Sequence, residues 1–174
     1  MHFNNSNNRN SLININQIKT SDTAALKNAL LELNGTTAEY GLFLTVKQIN
    51  KLSDAVTKAL RESDRIEFGA GILPVIAEEF STSVFVTREN YAELLENLVY
   101  IFFQVKTAVC DTVADKDLVR LLKDYYENKA MGSVEVIGER DIDLLVKYIE
   151  MEQGTSGVAT GDTYDSENYT DERT

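Results

Sequence analysis

"YAELLENLVYIFFQVKTAV", Tyr91 to Val109, is the stretch from which the fold is read. Tyr91, Leu94, Leu95, Leu98, Ile101, Phe102, Val105 and Val109 recur at helical spacing, and the middle, "LVYIFFQV", is apolar nearly all round. A helix that met a core on one side only would not need apolar residues on every side. The spacing therefore predicts a central helix over about 88–110 with other helices packed around it. Its longest uninterrupted apolar run, Leu98 to Phe103, is far shorter than the roughly 20 residues that cross a bilayer.

Amphipathic segments surround this centre. From Thr45, Ile49, Leu52, Val56, Ala59 and Leu60 fall on one face, while Lys47, Lys51, Asp54, Lys58 and Arg61 fall on the other. Leu118, Leu121, Leu122 and Tyr125 repeat the pattern after Asp115, as do Ile142, Leu145, Val146 and Ile149 near the end. A shorter helix carrying Leu26, Ala29, Leu30 and Leu33 is expected to start at Ser21 or Asp22, and another to follow Gly71. The expectation is an all-α bundle of about six helices.

Two helix starts look alike. "LFLTVKQI" from Leu42 and "VFVTRENY" from Val84 each place a threonine at an N-cap, with Leu44 and Ile49, or Val86 and Tyr91, at hydrophobic-staple spacing. Thr45 with Gln48 also fits a capping box. Shared start chemistry accounts for the likeness, since nothing else in the two halves matches at that offset. The same triplets could instead pair as a very short β-ladder.

A chain of 174 residues suits one domain, expected over 21–152 between two tails. Residues 1–20 are rich in asparagine and carry no apolar block of the kind an export signal needs, so a flexible tail and a cytoplasmic location are expected. Residues 153–174 are acidic and rich in Gly, Ser and Thr, with little to bury, and read as a disordered tail. Net charge is −11, most of it in the body. Gripping a phosphate backbone requires Lys and Arg to neutralise it, so neither nucleic acid nor an acidic membrane surface is an expected partner.

Several catalytic classes lack their residues. One histidine, His2, and one cysteine, Cys110, leave no Cys/His zinc set, no Glu-x-x-His di-iron pair and no histidine-activated nucleophile. No metal or cofactor is expected. Cys110, at the end of the central helix, reads as a small core residue. Glu78 and Glu79, about 100° apart on a helix, read as a solvated face.

"RIEFGAGILP", Arg65 to Pro74, has two glycines but lacks the third glycine of a dinucleotide fingerprint and the lysine of a P-loop. It reads as a connector between helices, with glycines accepting positive φ and Pro74 in a first helical turn. Glu67 stands between Ile66 and Phe68, two residues expected to turn inward. A carboxylate drawn in with them has a raised pKa unless paired, which makes Glu67 the candidate acid or base. Its structural reading is a partner of Arg65 or an acceptor for amides of the helix starting near Ile72.

Lys47, Lys51, Lys58 and Arg61 form a clustered positive stripe in an acidic molecule, suited to docking an acidic partner or the chain's own C-terminal segment. Tyr125 is expected in the core and Tyr126 partly exposed as a contact residue. Tyr164 and Tyr169 stand among acids in the C-terminal segment.

At "YGLFLT", "RIEFGAGILP", "TRENYAELLENL" and "MGSVEV" the chain resembles an uncharacterised bacterial family defined only as a domain of unknown function, with EFGxGIL and TxxNYxxxL signatures. Tyr40, Gly41, Thr45, Glu67, Gly69, Gly71, Thr87, Asn90, Tyr91 and Gly132 are among the residues that carry the likeness. The resemblance implies no catalytic residue, cofactor or substrate.

Three functional readings follow. The first is a helical module that binds another protein or a second copy of itself. The second is a small enzyme using Glu67 as acid or base, and the third an acidic mimic of nucleic acid. Carboxylates interleaved with lysines place the third behind the others.

Overall fold

Helix formation follows the apolar periodicity. The computed structural model describes residues 15–139 and 142–156, and within them the elements are all helical. They are α1 (Ile15–Thr37), a short 3-10 helix (Ala38–Tyr40), α2 (Val46–Glu62), α3 (Leu73–Phe80), α4 (Tyr91–Ala108), α5 (Asp115–Asn128), α6 (Val134–Glu139) and α7 (Ile142–Ser156). The fold is the expected all-α bundle. α6, a six-residue helix inside "MGSVEVIGE", is the addition to the six read from periodicity, being too short to show a repeat.

α1 starts at Ile15 rather than at Ser21 or Asp22. No glycine or proline interrupts "INQIKTSD", so nothing in the backbone chemistry stops the helix from extending through it. Residues 1–14 and 157–174, which hold most of both expected tails, lie outside the described residues.

α4 is the centre. Leu95, Leu98, Val99 and Phe102 are inaccessible to solvent, and α2, α3, α5, α6 and α7 all pack on this helix, while α1 lies against α2 and α3. Burying each of these large side chains is worth about 1.5–3 kcal/mol. The all-round apolar surface of "LVYIFFQV" is thus matched by neighbours on nearly every side.

The Thr45 start is built as expected, whereas the N-cap of α4 is Asn90 and Thr87 closes a turn just ahead of it. The Thr45 hydroxyl accepts from the Gln48 N–H, and the Gln48 side chain accepts from the Thr45 N–H at 2.8 Å, a complete capping box. One turn before Tyr91, Thr87 and Asn90 do the same: the Asn90 side chain accepts from the Thr87 N–H at 2.8 Å, and the Thr87 hydroxyl accepts from the Asn90 N–H at 3.4 Å.

The short β-ladder does not form. Asn34 explains half of this, because its side-chain amide donates to the Leu44 carbonyl at 2.9 Å while its oxygen accepts from the Leu44 N–H at 2.8 Å. Asn90 similarly donates to the Phe85 carbonyl at 3.0 Å. Side-chain amides take the bonds a partner strand would have supplied.

Cys110 is exposed, against the expectation of a core position. It follows the last turn of α4 with φ +52°, and this reversal of the chain turns its side chain away from the interior.

Candidate functional site

The site is assembled from two helix ends. α2 and α4 stop in the same way. The Arg65 N–H donates to the Leu60 carbonyl at 2.8 Å across Asp64 (φ +53°), and the Asp111 N–H donates to the Lys106 carbonyl at 3.1 Å across Cys110. Both are Schellman-type closures, and the residue that completes each is charged. The Arg65 guanidinium and the Asp111 carboxylate then meet in a bidentate pair of 2.7 and 2.9 Å. Such forked pairs fix geometry as well as energy. Lys106 adds a second link, pairing with Asp115 at the start of α5 and lying 3.8 Å from Asp111.

This clasp holds the base of the connector 63–72. From Arg65 to Phe68 burial alternates residue by residue, half-buried then exposed. Arg65 and Glu67 point in toward polar partners, and Ile66 and Phe68 are left 73% and 74% exposed. The expectation that Ile66 and Phe68 turn inward is thereby reversed: anchoring the two charged residues dictates the direction of the two apolar ones.

Glu67 realises the second of its structural readings. Its Oε1 accepts from the Ile72 N–H at 3.1 Å, at the entry to α3. Gly69 and Gly71 take positive φ of +68° and +67°, and a methyl group built on Gly71 would overlap the Glu67 carboxylate. Burial pushes the Glu67 carboxyl above the usual carboxylate range. The Ile72 N–H pulls it back, Asp115 adds to the rise, and Lys106 opposes it. Arg65 is committed elsewhere and does not pair with Glu67.

The connector separates two cavities. One, of about 660 Å³, opens beside Glu67, Lys106 and Asp115 with Phe103 and Ile72 in its wall. The other, of about 430 Å³ and mostly apolar, lies behind the connector between α1 and α2, with Leu26, Val56 and Leu60 in its wall and Arg61 and Asp64 at its margin. Ile66 and Phe68 stand at the mouth of both. Among the described residues no group of three His, Cys, Asp or Glu could hold a metal ion.

The basic stripe is not a free positive face. Lys51 pairs with Glu96 of α4 at 2.6 Å, and Lys58 lies 3.8 Å from Glu62 and over the Tyr100 ring at 5.6 Å. Lys47 and Arg61 are exposed at opposite ends of α2. Tyr126 is 1% exposed, with Phe80 at 5.4 Å and Phe85 at 6.1 Å between ring centres, so it is a core residue and not a contact residue. The structure therefore brings Glu67 and Arg61 to the lining of the same cavity and sets Lys47, Lys51, Lys58 and Tyr126 apart from it.

Sequence reasoning missed Arg65, Asp111, Lys106 and Asp115 as one cluster, and the outward pair Ile66 and Phe68. Alternation in "RIEF" was the available signal, but it gives two faces without saying which is inside. Only the distant partner Asp111 decides that.

A family model described as a family of unknown function (DUF6323) matches residues 29–155. No curated protein matches the chain, and no solved structure does. No described helix is long and apolar enough to cross a membrane.

Proposed function

The chain belongs to DUF6323, a family of unknown function, and from its braced connector we propose that it works by binding another protein through Ile66 and Phe68. One observation carries this reading: two large apolar side chains are held in water by a loop whose charged residues are both tied down, Arg65 to Asp111 at the surface and Glu67 to the Ile72 N–H. Folding alone favours the opposite arrangement. Rigid display lowers the ordering cost of association, and a pair of exposed apolar anchors beside an apolar groove is what a docking surface requires.

What supports a bracing role for Glu67, in preference to acid–base work, is its bond to the Ile72 N–H and its fit against Gly71. The mimic reading gains nothing from the surface, where acids at Glu79, Glu96, Asp111 and Asp115 lie beside Lys or Arg.

The test is an Ile66→Ser, Phe68→Ser double variant of the full chain. Exposed positions away from caps and core shift stability by only about ±0.5 kcal/mol, so its melting temperature should match that of the parent. Binding to a partner captured by the parent chain from its native host should be lost. Retention of every partner by a folded double variant overturns the reading.

A further inference from the structure

The same connector carries a projection and a recess side by side. Ile66 and Phe68 are exposed on it and at the same time form part of the wall of the apolar groove that Leu26, Val56 and Leu60 also line. A surface on which a knob lies next to a hole is complementary to itself after a two-fold rotation, the arrangement from which isologous dimers are made. The margin of the groove adds charges of opposite sign. Arg61 closes α2 and Asp64 follows it, both exposed, and neither forms an ion pair among the described residues, although Arg65 beside them is paired to Asp111.

We propose that this face docks a second copy of the chain about a two-fold axis through the connector, with Ile66 and Phe68 of each copy seated in the groove of the other and Arg61 facing Asp64 across the axis. The inference rests on the protein-binding reading and names its partner. Charge argues for the same occupant. Two copies each carrying −11 repel over most of their surfaces, and association is least opposed where the local charges cancel. Here an arginine and an aspartate do so, and a two-fold axis converts one such pair per chain into two reciprocal contacts. With only two apolar side chains inserted per copy, the interface belongs to the small, concentration-dependent class.

Sedimentation velocity on the full chain over a wide concentration series tests this. The parent chain should pass from monomer to dimer, and Ile66→Ser with Phe68→Ser should raise the dissociation constant at least about tenfold. Arg61→Glu alone and Asp64→Arg alone should each keep the chain monomeric by placing like charges across the axis. Their equimolar mixture should dimerise again, because each acid of one variant then faces a base of the other. That rescue cannot arise from contacts within a chain. Asp64 occupies left-handed backbone, so thermal melts accompany its variant, and the Ile66/Phe68 pair, in ordinary backbone, is an independent arm.

A parent chain that stays monomeric throughout overturns the self-docking inference, as does a mixture no more associated than its parts. If the parent is monomeric yet captures a different protein that the Ile66/Phe68 variant does not, self-docking falls and the protein-binding reading stands. If that variant neither dissociates a dimer nor loses a partner, both fall.

Discussion

Gly71 and Gly132 look equivalent in the sequence and differ in the fold. Both take positive φ, where a side chain costs about 1–2 kcal/mol. At Gly71 a methyl meets the Glu67 carboxylate, the end of a side chain that can swing toward the open cavity only by giving up its bond from the Ile72 N–H. At Gly132 it meets the ring and Cβ of Phe85, which is held against Tyr126 and has no such freedom. Gly132→Ala should therefore lose about 3–5 kcal/mol and Gly71→Ala, with the bond from Ile72 included, about 2–3 kcal/mol, as read by urea denaturation. Equal losses would mean that the backbone strain alone matters. The sequence singled out Glu67 because an acid between two apolar residues is conspicuous. It misjudged the direction of Ile66 and Phe68 because alternation has no sign, and the anchor that supplies one, Asp111, lies 46 positions away.

Helices and their starts were legible for a reason of distance. Amphipathic spacing and a Thr45–Gln48 box involve residues three or four apart, so the chain states them locally. What occupies the extended segments is decided ten residues off, where Asn34 caps both backbone groups of buried Leu44 and thereby joins α1 to the entry of α2. Asn34→Ala leaves a buried N–H and C=O without partners and should destabilise the protein by about 2–4 kcal/mol, more than Thr45→Ala at an exposed cap, which should lose about 1 kcal/mol. Denaturant melts of the two variants order these effects, and an Asn34 loss smaller than the Thr45 loss would contradict the assignment.

At the scale of the whole molecule, three carboxyls among the described residues shape the pH response: Glu67 is raised, while Asp111 and Glu135, the latter held by its own backbone N–H and by Ser133, are lowered and pull the other way. Glu67 has a raised folded pKa, so its protonated form favours the fold: that contribution is complete below the unfolded carboxylate value and is lost as pH rises through the folded one. Asp111, held low chiefly by its bond to Arg65, stabilises above the unfolded value and loses that contribution as pH falls through its own folded pKa. Glu67→Gln keeps an oxygen for the Ile72 N–H without the buried charge. It should be at least as stable as the parent at neutral pH, with the difference vanishing on acidification through the raised Glu67 value. Equilibrium unfolding of both proteins from neutral to mildly acid pH reads this directly, and a neutral-pH loss of stability in Glu67→Gln would show that the carboxylate charge is wanted. The class of fold was legible at this scale because the middle of one helix is apolar nearly all round. The clasp between two helix ends was not, because closures of that kind ordinarily use glycine, and here Asp64 and Cys110 occupy the left-handed positions.

The outward turn of Cys110 makes the molecule reportable without redesign. As the sole thiol of the chain, exposed and one residue from Asp111, it accepts one spin label or dye at the foot of the connector, on the unaltered sequence. A label there senses whether the Arg65–Asp111 clasp is closed, and two labels in an associated pair give a single distance across the axis.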